Sequence, residues 1–282
     1  MTILEVLITS VEPLHTVFSN TVHTIKINPN YPKETNMIQE LTHQLKLSAF
    51  YAAFMEQSTQ PAYSELPFDK RVQMLLEAEA LDRDNKKIQR LLKQAKLHEK
   101  GALISEINFS PDRNLDKSVL LDLAQGTYLK YFRNIILNGP TGVGKSYIAQ
   151  AYANKAMTMG YSALYLRVPR LMQYLQAIRG DEEYLKYLAK LKRINLLILD
   201  DFGVSPLKAS EARDLLEIVE DRTNQSSLII TSQLPIKEWH GYLHNATIAD
   251  AILDRIVHNA YKIEITGGSQ RKENARKMMS SR

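Results

Sequence analysis

A chain of 282 residues, 44% hydrophobic and 24% charged, has room for one sizeable soluble domain and a smaller one, and no apolar run approaches the length of a membrane span. The lack of cysteine excludes disulfide frameworks and thiolate metal sites, which fits the cytoplasm. A net charge of +5 points to a polyanionic partner, since a small anionic ligand alone would not need so global a bias.

The opening stretch from Met1 to Ile8 has no basic residue and carries Glu5 in its apolar part, so it makes a poor signal peptide. Residues 1–36 show no sustained period and end in the Pro- and Asn-rich cluster Asn28 to Pro32, which reads as a loop or linker. This segment is expected to be dispensable. From Met37 the pattern changes: Ile38, Leu41, Leu45, Ala49, Ala52 and Met55 recur at helical spacing. Pro61 and Pro67 bracket a connection. A second helical run then starts near Asp69, a plausible N-cap, and carries Val72, Leu75, Leu76, Leu81, Ile88, Leu91, Leu92 and Ala95 toward Gly101. Residues 37–105 are thus expected to form a helical hairpin with its own small core, the form an interaction domain would take. Arg83, Lys86, Lys87, Arg90, Lys93, Lys96 and Lys100 make a basic stripe along the second run. Such a stripe is either a solvated helix face or a phosphate contact, and Arg83, Lys87 and Arg90 are the candidates for the latter.

After a linker around Asn108 to Asn114, strands and helices alternate. Strands are expected at Asn134–Asn138, Ser162–Arg167, Asn195–Asp200, Ser227–Ser232 and Tyr261–Ile265, each apolar through its centre as in a parallel sheet buried on both faces. Helices are expected at Ser146–Met157, Leu171–Arg179, Glu182–Leu191, Ala209–Thr223, and in two shorter stretches between Pro235 and Asn259. Residues 106–266 therefore read as a three-layer α/β domain, followed by a basic tail at 267–282.

Between the first strand and its helix lies Gly139-Pro140-Thr141-Gly142-Val143-Gly144-Lys145-Ser146, which fits the G-x-x-x-x-G-K-[ST] phosphate loop. Its glycines let the backbone curl so that successive N–H groups face phosphate oxygens. Lys145 would reach the β- and γ-phosphates, Ser146 would offer a hydroxyl to Mg²⁺, and the helix beginning near Tyr147 would aim its positive end at the anion. The third strand ends in Asp200-Asp201. In phosphate-loop enzymes the first acid holds Mg²⁺ beside the loop hydroxyl and the second orients or deprotonates the attacking water. Asp201 is one methylene shorter than the Glu common at that place, so turnover is expected to be slow. The fourth strand ends Thr231-Ser232-Gln233. Ser232 is taken as the group touching the γ-phosphate or the lytic water, with Thr231 and Gln233 as alternatives.

These motifs, together with Asn195 to Gly203, Asp214 to Arg222, Ile229 to Pro235 and Thr247 to Ala260, resemble the IstB-like ATP-binding proteins. These are transposon helper ATPases of the AAA+ superfamily, related to the helicase loader DnaC. The similarity runs from about Met37 to Lys277, and Glu56-Gln57, Pro61-Ala62-Tyr63 and Glu65-Leu66 also look like the family's helical domain. The resemblance implies a five-stranded parallel sheet of order 5-1-4-3-2, ATP with Mg²⁺ as cofactors, ATP-dependent self-assembly on double-stranded DNA and a transposase as partner. It also implies that Arg255 is an arginine finger reaching a neighbouring subunit's γ-phosphate. By the residues alone Arg255 reads rather as an ordinary helix-surface arginine pairing with Asp250 or Asp254. Residues 1–36 have no counterpart in the family, and Thr266 to Arg282 cannot build a full helical lid. Arg271 is the best candidate for a second arginine sensor, or else part of a basic tail touching DNA.

Arg167, Arg170, Arg179, Lys186, Lys190, Lys192 and Arg193 cluster between the second and third strands with Tyr174, Tyr184 and Tyr187. They are the candidate DNA contacts, as flexible cations giving affinity with little sequence readout. The acidic residues Glu211, Asp214, Glu217, Glu220 and Asp221 lie on one helical segment, expected on a different side. His240 and His244 lack a third ligand and do not make a metal site. Trp239 reads as core. Alternative functions are a DnaC-type helicase loader and a nucleotide-dependent scaffold with little hydrolysis.

Overall fold

The computed structural model describes residues 34–243, 245–272 and 279, with the backbone alone at 34–36. The contacts divide the chain into two compact units, one ending at Asp82 and one beginning at Arg83. The boundary lies inside a helix.

The first unit contains α1 (Glu34–Gln44), α2 (Ser48–Thr59), a short 3-10 turn (Pro61–Glu65) and the start of α3 (Phe68–Gln94). The apolar period from Met37 to Met55 is interrupted, because Lys46 adopts φ 57°, a left-handed conformation that ends α1. No side chain of the preceding loop caps α2. Its first N–H groups are met from α3 instead: Ala49 and Phe50 donate to Glu79 Oε2 at 3.0 and 3.2 Å. This explains how a carboxylate can be 5% exposed in so small a unit. The expected core is thin. Leu75 is buried, whereas Met37, Leu41, Leu45, Phe68, Leu76 and Leu81 remain exposed.

The second unit continues through α3, α4 (Lys117–Leu123) and α5 (Thr127–Lys130) into the alternating part. There β1 (Asn134–Asn138), α6 (Lys145–Thr158), β2 (Ala163–Arg167), α7 (Val168–Ala177), α8 (Glu182–Lys192) and β3 (Leu196–Phe202) follow in order. They are succeeded by α9 (Ala209–Arg222), β4 (Ser227–Ser232), α10 (Trp239–Tyr242), α11 (Ala246–Val257) and β5 (Ala260–Glu264). All pairings are parallel and the order is β2-β3-β4-β1-β5, the expected 5-1-4-3-2 read from the other edge. Period-two alternation divides the strands cleanly. Ile135, Leu137, Tyr165, Ile198 and Ile229 pack on the α6 side, whereas Ile136, Leu164, Leu197, Leu199 and Ile230 face α7, α9 and α11. Trp239 is fully buried against Phe202 at 4.4 Å between ring centres, with Nε1 donating to Leu234 O at 2.8 Å.

Arg222 is 1% exposed with no carboxylate partner among the described residues. Its guanidinium donates to Leu191 O and Ser227 O at 2.5 and 2.9 Å, tying the end of α8 to the start of β4, and burial pushes its pKa down.

Candidate nucleotide site

In a parallel sheet the strand order decides which strand ends become neighbours, and ligands collect beyond the carboxyl ends. Here β1 lies beside β4, and β4 beside β3, so the loop after β1 meets the acids ending β3 and the hydroxyls ending β4.

The loop turns through Gly139 (φ 146°), Gly142 (φ 83°) and Gly144 (φ 95°). A Cβ on Gly139 would stand 2.1 Å from Ile265 O, a backbone atom that cannot yield, so hydrogen alone fits there. Gly142 carries Ser269 in the same close way, and Gln270 N–H donates to Gly142 O at 3.0 Å. The segment after β5 therefore lies directly on the loop. Lys145 curls back, donating to Gly139 O and Pro140 O at 2.7 Å each. Burial holds its amine below the usual lysine range; Asp200 and Asp201 oppose that shift and Arg271 adds to it.

Asp200 is 3% exposed and accepts three hydroxyls. Ser146 and Thr231 donate to Oδ1 at 2.7 and 2.6 Å, and Tyr165 donates to Oδ2 at 2.5 Å. Asp201 sits in the left-handed region at φ 61°, beside an irregularity in the β3–β4 register. Its N–H donates to Thr231 Oγ1 at 3.2 Å, and its carboxylate pairs with Arg167 at 2.7 Å. Ser232 is turned away. It is fully buried and its hydroxyl donates to Phe202 O at 2.7 Å, so Thr231 rather than Ser232 is the strand-end hydroxyl in contact with both acids.

Two adjoining cavities of about 480 and 510 Å³ flank the loop, sharing Thr141, Ser146, Asp201, Gln233 and Arg271 among their linings, a size suited to a small-molecule ligand. Tyr147 lines the first and donates to Glu106 at 2.8 Å. The donors fit Mg²⁺ and a polyphosphate: hard hydroxyl and carboxylate oxygens at Ser146 and Asp200 and an amine at Lys145, beside the cavities that flank the loop.

Several participants escaped sequence reasoning. Arg113, within the supposed linker Asn108–Asn114, is 2% exposed and donates to Asn108 O and Val143 O, bracing the loop from beneath. Gln150 is 2% exposed; its Oε1 accepts from His98 N and Glu99 N at 2.7 and 2.8 Å, and its Nε2 donates to Ser146 O at 3.1 Å. No local pattern marks either residue, because Arg113 meets Val143, and Gln150 meets His98 and Glu99, across long stretches of sequence.

Of the proposed DNA contacts, Arg167, Arg170, Lys186 and Lys190 line a third cleft of about 600 Å³, with Tyr174 and Tyr187. Arg179 and Lys192 do not join them. Arg179 forks onto Asp214, which is 2% exposed and also accepts from Tyr184 at 2.8 Å, and Lys192 pairs with Asp221 at 2.9 Å. The acidic face of α9 is thus the partner of part of the basic cluster, because a buried carboxylate needs a nearby cation. Arg193 is exposed outside this cleft, and Arg83, Lys87 and Arg90 are exposed along α3. Arg255 pairs with Glu220 at 2.9 Å and donates to Ala251 O at 2.8 Å; its expected partners Asp250 and Asp254 face His240 and His258 instead. His244 lies outside the described residues.

A family model described as IstB-like ATP binding protein matches residues 40–278. The chain belongs to the IstB-like ATP-binding protein family. The relatives of this IstB-like chain include y4pL of Sinorhizobium fredii, named for ATP binding in an insertion sequence, at 40% identity over 82% of this chain and 94% of that protein. The ATP-binding protein named for insertion sequence IS1162 of Pseudomonas fluorescens is 42% identical over 68% of this chain and 84% of its own. Among solved structures, DnaI superposes with a TM-score of 0.51 at 23% identity, covering 63% of this chain and 94% of that one. Aquifex aeolicus DnaA bound to AMPPCP gives 0.51 at 18%, covering 66% and 56%. At these identities the structures establish a common fold. No helix among the described residues is long and apolar enough to cross a membrane.

Proposed function

We propose that this protein is a cytoplasmic, DNA-binding AAA+ ATPase that assists an insertion-sequence transposase, assembling on double-stranded DNA with ATP to select or remodel the target. Lys145 and the loop amides hold the phosphates, and Thr141 and Tyr147 border them. Mg²⁺, held by Ser146 and Asp200, would neutralise phosphate charge. Asp201 orients or deprotonates the attacking water, and Gln233, which lines both cavities while Thr231 and Ser232 are buried, takes the role at the γ-phosphate or the lytic water. Arg271, lining both cavities, serves as the second arginine sensor. Residues 37–105 are the partner- or DNA-facing helical region, and residues 1–36 are dispensable.

The observation that carries the reading is the ion pair between Arg167 and Asp201. One arginine lines the cationic cleft and also occupies the acid beside the phosphate loop, so a DNA phosphate and the hydrolytic acid compete for the same guanidinium. The insertion-sequence names of the relatives favour a transposase as partner. Imaging the protein on DNA with ATP and with ADP tests the proposal. Filaments or rings with ATP, lost with ADP, are expected; identical particles with both nucleotides would refute it. Hydrolysis should be slow and rise when DNA is added, whereas turnover absent under every condition would favour a nucleotide-dependent scaffold.

A further inference from the structure

Resting on the ATPase reading above, we infer that Tyr165 is a positioning residue for the metal-binding carboxylate, set by the short stretch Ala95–Glu99 that follows α3. Asp200 has two oxygens. Oδ1 is shared by Ser146 and Thr231, while Tyr165 alone among the described residues donates to Oδ2. Removing the phenol hydroxyl leaves the carboxylate plane free to turn, and with it the oxygen presented to a cation. The phenol is buried, at 5% exposure, and the acid is the partner its hydroxyl requires there.

Tyr165 is in turn held by the chain just beyond α3. Its N–H donates to Ala95 O at 2.8 Å, and the exposed His98 sets its ring edge-on against the phenol, 5.3 Å between centres. The next two backbone amides, His98 and Glu99, fix Gln150, which donates to the carbonyl of Ser146. One five-residue stretch therefore grips both expected Mg²⁺ ligands from behind: Asp200 through Tyr165, and Ser146 through Gln150. Lys96, at φ 55°, is where the chain leaves the helix to make this grip. A shift at the end of α3 then alters how the Mg²⁺ ligands are presented.

The test uses the full chain. Tyr165→Phe keeps the ring and removes the hydroxyl, and melting confirms the fold. Binding of a fluorescent ATP analogue is followed in EDTA and across a Mg²⁺ titration, alongside hydrolysis. The expected result is parental affinity in EDTA but a Mg²⁺ midpoint raised about tenfold, the scale on which groups that orient metal ligands act. His98→Ala, which is exposed and so keeps the fold, should shift the midpoint the same way by less, and add nothing in the Tyr165→Phe background, because both act on one path. A parental Mg²⁺ midpoint in Tyr165→Phe overturns the proposal while leaving ATP binding intact, and independent additive shifts overturn the role of the stretch. A parental protein that binds no ATP would sink the underlying reading itself.

Discussion

At the residue scale, Lys145 contributes charge to the site and little to the core, since its contacts are two carbonyls of its own loop. Lys145→Ala is expected to lower nucleotide affinity at least 100-fold, or roughly 3 kcal/mol, as expected for charge-assisted contacts, with a near-parental melting temperature. Asp201→Asn should keep binding and lose turnover; parental hydrolysis would remove Asp201 from the role of base. Arg167→Ala should weaken DNA binding yet raise hydrolysis without DNA, because Asp201 is released from its ion pair; unchanged basal turnover would show that the ion pair is only structural. The phosphate loop and both acids were legible because they are contiguous and chemically constrained. Thr231 and Ser232 were not separable, since which hydroxyl faces the acids depends on the shifted register where β3 passes Asp201. Arg113 was invisible for a related reason: the loop it braces, through Val143, lies well downstream in sequence.

At the scale of elements, the five strands could be read because each is apolar through its centre and each helix has its own period; their order came from the family resemblance. The division of the basic cluster could not, because pairing across α8 and α9 depends on tertiary placement. That division separates two kinds of variant. Neutralising Lys186, Lys190 and Arg193 together should weaken binding to all DNA sequences and flatten the slope of log affinity against log salt, through fewer released counterions; an unchanged slope returns these residues to a solvated rim. Arg179→Ala should leave that slope intact and instead destabilise the fold by about 2 kcal/mol, because Asp214 and Tyr184 lose their cation, discounted for the partial exposure of Arg179. A lowered melting temperature with unaltered DNA binding is the outcome to look for.

For the whole molecule, assembly turns on Arg255. In the single chain its guanidinium is engaged by Glu220, so a role at a neighbour's γ-phosphate requires exchange of one carboxylate for a phosphate, and an exposed pair of this kind is weak enough to exchange. Arg255→Ala should bind ATP normally yet fail to assemble on DNA, and mixing it with Lys145→Ala should restore some hydrolysis at interfaces that pair an intact loop with an intact Arg255. An Arg255→Ala protein that assembles and turns over at the parental rate would contradict this. The helical first unit was legible as helices, but not how few of its described apolar residues are buried, since apolar spacing reports which face a helix offers and not whether anything covers it.

The loop is finished by a remote part of the chain: Ile265 crowds Gly139, and Ser269 and Gln270 sit on Gly142. During synthesis, strands β1 to β4 and the phosphate loop emerge well before these residues exist. A nascent chain can therefore form most of its sheet as it leaves the ribosome, but it cannot complete its nucleotide site until translation has passed Arg271. A nucleotide can stabilise only the finished site, so it gives no help to the earlier folding of the sheet.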